Sequence, residues 1–192
     1  MKRVGILGGT FDPPHIGHFI IADEVRVALN LDEIWFIPNN EPPHKGKAST
    51  DKTDRLNMLK LVIDDNEFFQ INTIELEREG KSYTIDTVNS LIELYPNMKF
   101  YFIIGADMVE YLPNWKQIDE LIEKIEFVGV KRRHYELKSK YPVKEVQIPL
   151  IDISSSEIRQ RIEKGLPFRY LVPKEVYTYI KEHRLYGFRR ST

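Results

Sequence analysis

Short apolar runs alternate with longer amphipathic stretches along this chain. Val4-Gly5-Ile6-Leu7 is an unbroken apolar run stopped by Gly8-Gly9, the pattern of a strand buried on both faces. From Ile16 to about Asn30 the apolar residues Ile16, Phe19, Ile20, Ala22, Val25, Ala28 and Leu29 return at helical spacing. Glu33 to Ile37 reads as a second strand and stops at Pro38. Strand, loop, helix and strand in this order make a β-α-β unit. Its crossover helix returns the chain to the same end of the sheet, so the strands run parallel.

The alternation continues. Asp54 to Ile63 is helical, Gln70 to Glu77 strand-like, and Thr84 to Tyr95 a helix ended before Pro96. Lys99 to Ile104 is a buried strand that delivers Gly105-Ala106-Asp107 at its end. A helix at Gln117 to Lys124, a strand at Glu126 to Val130 and a last strand at Val143 to Ile148 follow. Helices at Ser155 to Lys164 and Pro173 to His183 close the chain. Between the second strand and the second helix, "NNEPPHKGKAST" (39–50) has the composition of a surface loop. The pattern predicts one doubly wound, Rossmann-like α/β domain over 1–192. It has about five parallel strands, and 153–192 forms a small C-terminal helical portion.

Composition narrows the function. With 192 residues the chain can bury a sizeable core. Its net charge is -1, whereas a protein gripping a long nucleic acid carries a basic excess. There is no cysteine, hence no disulfide, thiolate zinc site or cysteine nucleophile. "MKRVGILGG" opens like a signal peptide, but Asp12-Pro13-Pro14 breaks it, and no apolar run is long enough to span a bilayer. These features point to a cytoplasmic protein with no membrane or nucleic-acid partner. Leu185, Tyr186 and Phe188 are apolar residues that could pack in a homo-oligomer interface or against their own domain.

In an open parallel sheet the ligand lies beyond the C-terminal ends of the strands. The distinctive residues fall there. Gly8-Gly9-Thr10 follows the first strand and lets a phosphate approach the backbone. His15 and His18, three residues apart at a helix start, share a face near amides that favour anions. Gly17 between them weakens the helix and suits close approach of backbone or ligand. "ISSSEIRQR" (153–161) is a second anion site: Ser154 and Glu157 fit a capping box, and free amides, serine hydroxyls and Arg159 can share phosphates. Trp115 can stack on an aromatic ring, and Lys45, Arg132 and Arg133 can meet phosphate. Each feature has a plainer alternative (a glycine turn, a capped surface helix, a core tryptophan, solvated charge). Their convergence on one sheet edge is what favours a site.

Together these residues resemble the H-x-G-H nucleotidyltransferases, and within them the nicotinate-mononucleotide adenylyltransferases. "GGTFDPPHIGH" (8–18), "IPNNEPPHKG" (37–46), "EREGKSYTIDT" (77–87), "FIIGADMVEYLPNW" (102–115) and "ISSSEIRQR" (153–161) carry the resemblance. It implies transfer of AMP from ATP to nicotinate mononucleotide, giving deamido-NAD and pyrophosphate in NAD biosynthesis. It also implies residue roles. His18 would bond the α-phosphate and His15 would help hold the phosphate chain. Arg159, Ser154 and Ser155 would anchor the β- and γ-phosphates. Gly8, Gly9, Thr10 and Phe11 would lie along ATP, and Gly105 and Asp107 near the adenosine ribose. Trp115 would meet the nicotinate ring, and amides near Tyr83 and Thr84 its carboxylate. Asn39, Lys45 and Arg132 would contact mononucleotide phosphate or polyphosphate. Mg2+ would arrive with ATP rather than on a protein metal site. The chain departs from the family at Ser156, where threonine is frequent, and at Arg133-His134, where a Pro-Gly turn is frequent.

"HIGH" (15–18) also marks class I aminoacyl-tRNA synthetases. A synthetase needs a K-M-S-K-S-type loop and a tRNA-binding surface, and this short, non-basic chain has "ISSSEIR" in the place of that loop. A phosphopantetheine-type adenylyltransferase and a nucleotide sensor without turnover are the remaining rivals.

Overall fold

The computed structural model describes residues 1–40, 48–78, 80–131, 139–149 and 151–189. Six parallel strands form one sheet in the order β3-β2-β1-β4-β5-β6. They are β1 (Lys2–Gly9), β2 (Glu33–Pro38), β3 (Phe69–Ile71), β4 (Met98–Gly105), β5 (Glu126–Val130) and β6 (Val143–Val146). The helices are α1 (Ile16–Ala28), α2 (Lys52–Ile63), α3 (Thr84–Leu94), α4 (Ala106–Tyr111), α5 (Ile118–Lys124), α6 (Ser155–Glu163) and α7 (Lys174–His183). This is the Rossmann-like order, with chain order reversing between β1 and β4.

Alternation along each strand feeds two cores, one per face of the sheet. Val4, Ile6, Trp35, Ile37, Phe100, Phe102 and Phe127 pack with α3 and α5 residues such as Val88, Leu91 and Leu121. Leu7, Ile34, Phe36, Tyr101, Ile103 and Val128 pack on the other face with Ala22 and Val25 of α1 and Leu59 of α2. The central strand has no room for a side chain at Gly5. A Cβ there would sit 2.5 Å from Ile34 Cδ1 and 2.9 Å from Leu31 Cδ1, both buried. A third cluster joins Met58 of α2 to Ile158, Ile162, Phe168, Val172, Val176 and Ile180, seating α6 and α7 against the sheet's helical layer.

The structure corrects several expectations. The described residues form six strands, where about five were expected. The strand expected over Gln70 to Glu77 ends at Ile71, because the Asn72 side chain accepts the Ile74 amide at 3.0 Å and turns the chain out of the ladder. The strand expected to reach Ile148 ends at Val146. Gly105 ends β4 and caps an extra short helix, α4, that begins at Ala106. Leu185, Tyr186 and Phe188, left open between an interface and their own domain, pack against the third cluster of their own chain, one of the two alternatives.

Candidate active site

The C-terminal ends of β1, β2 and β4 and the starts of α1, α3, α4 and α6 surround a cavity of about 730 Å³. Most of the residues singled out from the sequence line it: Gly8, Gly9, Thr10, Phe11, His15, His18, Asn39, Tyr83, Thr84, Gly105, Asp107, Trp115, Ser154, Ser155 and Arg159. Lys45, Arg132, Arg133 and His134 lie outside the described residues. A second hollow of about 750 Å³, between α6, α7 and the segment after α7, contains none of the expected site residues.

His15 is the N-cap of α1 and His18 its third helical residue. His18 Nδ1 accepts the His15 backbone N–H at 3.1 Å, as the carboxylate of a glutamate does in a capping box. A nitrogen that accepts from an amide carries no proton. The neutral His18 ring therefore holds its proton on Nε2. The two rings stack with centroids 3.6 Å apart. Gly17 relieves crowding here, since a Cβ there would lie 3.1 Å from His15 Nδ1 and press on that ring. Its close approach is thus to the histidine ring. Phe11, in left-handed backbone (φ 51°), is buried and meets His18 edge-on at 4.9 Å.

Beside the histidine loop, Ser154 caps α6 by accepting the Glu157 amide at 3.1 Å. Ser155 donates its hydroxyl to the Pro13 carbonyl at 2.8 Å, tying α6 to the histidine loop. Arg159 Nη1 donates to the Asp12 carbonyl at 2.6 Å, and Nη2 to Ser156 Oγ at 3.2 Å. A guanidinium has five N–H donors, so three remain beyond these two contacts. The Asp12–Arg159 charge pair is loose, at 4.0 Å.

Another part of the lining holds Tyr83, Thr84 and Trp115. Tyr83 is the N-cap of α3 without a side-chain cap, which leaves first-turn amides to be satisfied from outside the helix. Trp115 is half-buried and meets Phe102 at 5.8 Å and Phe127 at 5.7 Å, edge to face. It thus packs on the core as well as lining the cavity, and its buried indole Nε1 has no hydrogen-bond partner.

Three groups in this architecture were not anticipated. Asp12 is 2% exposed, and its carboxylate accepts from Ser49 N–H and Thr50 Oγ1, each at 2.6 Å. Arg55 is equally buried. Its Nη1 donates to the carbonyls of Thr10 at 2.8 Å and Asn39 at 2.9 Å, binding the ends of β1 and β2 together. Burial, partly opposed by Asp12, lowers its pKa. Glu75 accepts from Thr87 Oγ1 at 2.7 Å, and burial pushes its carboxyl up while Thr87 and Ser82 hold it back. Arg55 could have been found from its spacing, because it shares the buried stripe of α2 with Met58, Leu59 and Ile63. Asp12 lies inside the quoted motif, but its partners are distant in sequence.

Among the described residues, no three or more His, Cys, Asp or Glu gather to hold a metal ion. No helix among them is long and apolar enough to cross a membrane.

Residues 6–161 match the family model described as cytidylyltransferase-like. The chain is 55% identical over 191 residues to a probable nicotinate-nucleotide adenylyltransferase of Oceanobacillus iheyensis, covering 100% of both. It is 49% identical over 187 residues to the nicotinate-nucleotide adenylyltransferase of Bacillus subtilis, covering 97% of this chain and 99% of that one. Among solved structures it resembles the Plasmodium falciparum nicotinic acid mononucleotide adenylyltransferase complexed with NaAD. There the TM-score is 0.83 and the identity 24%, over 100% of each chain, a likeness of fold.

Proposed function

This chain belongs to the nicotinate-nucleotide adenylyltransferases of the cytidylyltransferase-like family, and on that premise we propose how its own residues carry the reaction. The enzyme transfers the AMP moiety of ATP to nicotinate mononucleotide and releases pyrophosphate, a step of NAD biosynthesis. A phosphate oxygen of the mononucleotide attacks the α-phosphorus of ATP. A new P–O bond forms there as the bond to the bridging oxygen of the leaving pyrophosphate breaks. The attacking phosphate is already a nucleophile, so no covalent enzyme intermediate is needed. Positioning and stabilisation of phosphate charge supply the catalysis.

The observation that carries this reading is that His15, His18, Ser154, Ser155 and Arg159 line one cavity, with α6 tied to the histidine loop through Pro13 and Asp12. His18 donates from Nε2–H to the α-phosphate, where charge builds in the transition state. His15 helps to hold the phosphate chain. Gly8, Gly9, Thr10 and Phe11 form the wall beside ATP. Arg159 uses its remaining N–H groups on the β- and γ-phosphates, with the first amides of α6 at Ser155 and the Ser154 side chain beside them. Gly105 and Asp107 receive the adenosine ribose. Any Mg2+ would come with ATP as part of the substrate and would supply neutralisation of phosphate charge.

At the other end, Trp115 meets the nicotinate ring, and amides near Tyr83 and Thr84 receive the carboxylate. Donors built for a carboxylate are left unmatched by the amide NH₂ of nicotinamide mononucleotide. Asn39 stands at the mononucleotide side with a buried Oδ1 that lacks a partner. Lys45 and Arg132 complete the phosphate contacts in this reading. Pyrophosphate release with competing acceptors tests it.

A further inference from the structure

Asp12 does more than hold the histidine loop. Its Oδ1 accepts from Tyr186 Oη at 2.8 Å and from Thr50 Oγ1 at 2.6 Å, and those two hydroxyls lie 3.4 Å apart. Its Oδ2 accepts from the Ser49 amide, and its backbone carbonyl accepts from Arg159. One buried residue therefore ties together the loop after β1, the residues that lead into α2, the arginine of α6 and the turn after α7.

The backbone at both ends of the Tyr186–Asp12 link is unusual. Phe11, directly before Asp12, has φ 51°. After α7, Arg184 and Tyr186 have φ 52° and 56°, and Gly187 follows at 74°. Non-glycine residues adopt this left-handed region at a cost and persist there when other contacts over-determine them. At Tyr186 those contacts include the bond to Asp12 and packing on the third core cluster. The phenol stays a donor, since burial chiefly, and the nearby Asp12 carboxylate next, hold its proton on.

We propose that Tyr186 is a positioning residue for adenylyl transfer: through Asp12 and Thr50 it sets the register of Arg159 and of the histidine loop. The proposal rests on the adenylyl-transfer reading above, in which Arg159 and His18 meet the phosphates of ATP. The C-terminal turn is then part of the ATP site although it does not line the cavity. The chemistry at risk is alignment of the triphosphate, not acceptor recognition.

The test is Tyr186→Phe, which removes one hydroxyl and keeps the ring. The expected result is a folded protein whose kcat falls about tenfold and whose Kd for a non-hydrolysable ATP analogue rises about fivefold. The KM for nicotinate mononucleotide stays within about twofold. Thr50→Val reproduces the pattern and Thr50→Ser restores function. These Thr50 variants carry the test if Tyr186→Phe does not fold. Unchanged kcat and analogue Kd, with a loss of Tm alone, would overturn the proposal and leave the link purely structural. Wild-type protein that released no pyrophosphate would count against the reaction itself. The analogue Kd reads the coupling without turnover, so the two failures are distinct.

Discussion

The His15 backbone N–H donates to His18 Nδ1 at 3.1 Å, while the two imidazoles stack 3.6 Å apart. Sequence spacing puts the histidines on one helical turn. The hydrogen bond goes further, because it fixes which nitrogen of His18 carries the proton. A helix cap thus orients the histidine proposed to meet the α-phosphate.

That relationship makes His18 the most sensitive position in the site. His18→Ala is expected to lower kcat by roughly 10²- to 10³-fold, the cost of losing a donor aimed at developing charge. Circular dichroism checks that the variant is folded, and steady-state kinetics reads the loss. A folded variant with near-normal kcat would remove His18 from the transition state.

Trp115→Ala is expected to raise the KM for nicotinate mononucleotide more than that for ATP. The indole lines the cavity near Tyr83 and Thr84, and it also packs on Phe102 and Phe127, so some loss of Tm accompanies the change. Initial rates with each substrate varied separate the two. An equal rise in both KM values would contradict contact with the nicotinate ring.

Arg55→Met should act on stability first. It leaves two carbonyls, of Thr10 and Asn39, without their buried donor. About 2–4 kcal/mol is expected, which lowers Tm by roughly 5–15 °C at this chain length. Arg55→Lys recovers only part of this, because an ammonium lacks the rigid fork of the guanidinium. Thermal denaturation of both variants provides the check, and a Tm within about 2 °C of wild type for Arg55→Met would contradict the assignment.

Glu75 supplies a pH dependence. Its carboxyl pKa is raised from 4.5 in the folded protein, mainly by burial. The folded state therefore binds the proton more tightly than the unfolded chain. That contribution is fully present below the unfolded value of 4.5 and is lost as pH rises through the folded value. Glu75→Gln keeps an acceptor for Thr87 and cannot ionise. Its Tm relative to wild type should become more favourable as pH rises above 4.5. A difference independent of pH would show that burial does not perturb Glu75.

Much of this was legible in the sequence, for identifiable reasons. Strongly periodic segments such as 16–28 and unbroken apolar runs such as 100–104 declare themselves, and with them the parallel order. The histidine pair and the α6 terminus are local in sequence, so spacing reveals them. Asp12 is different: its partners Ser49, Thr50, Arg159 and Tyr186 are brought to it only by the fold. Glu75 looks like any charged residue until Thr87 and Ser82 enclose it. The third strand is shorter than its composition suggests for a local reason, since Asn72 offers the backbone a competing turn. For Trp115 the sequence allows a stacking ring or a core residue, and its surroundings include both cavity and core.

The decisive experiment is pyrophosphate release with Mg2+-ATP and equal concentrations of nicotinate mononucleotide, nicotinamide mononucleotide or phosphopantetheine. Fast release with the nicotinate acceptor and little with the other two is the expected result. Comparable release with the nicotinamide acceptor would contradict the carboxylate pocket at Tyr83 and Thr84. Release with phosphopantetheine alone, or with none of the three, would contradict the assigned reaction.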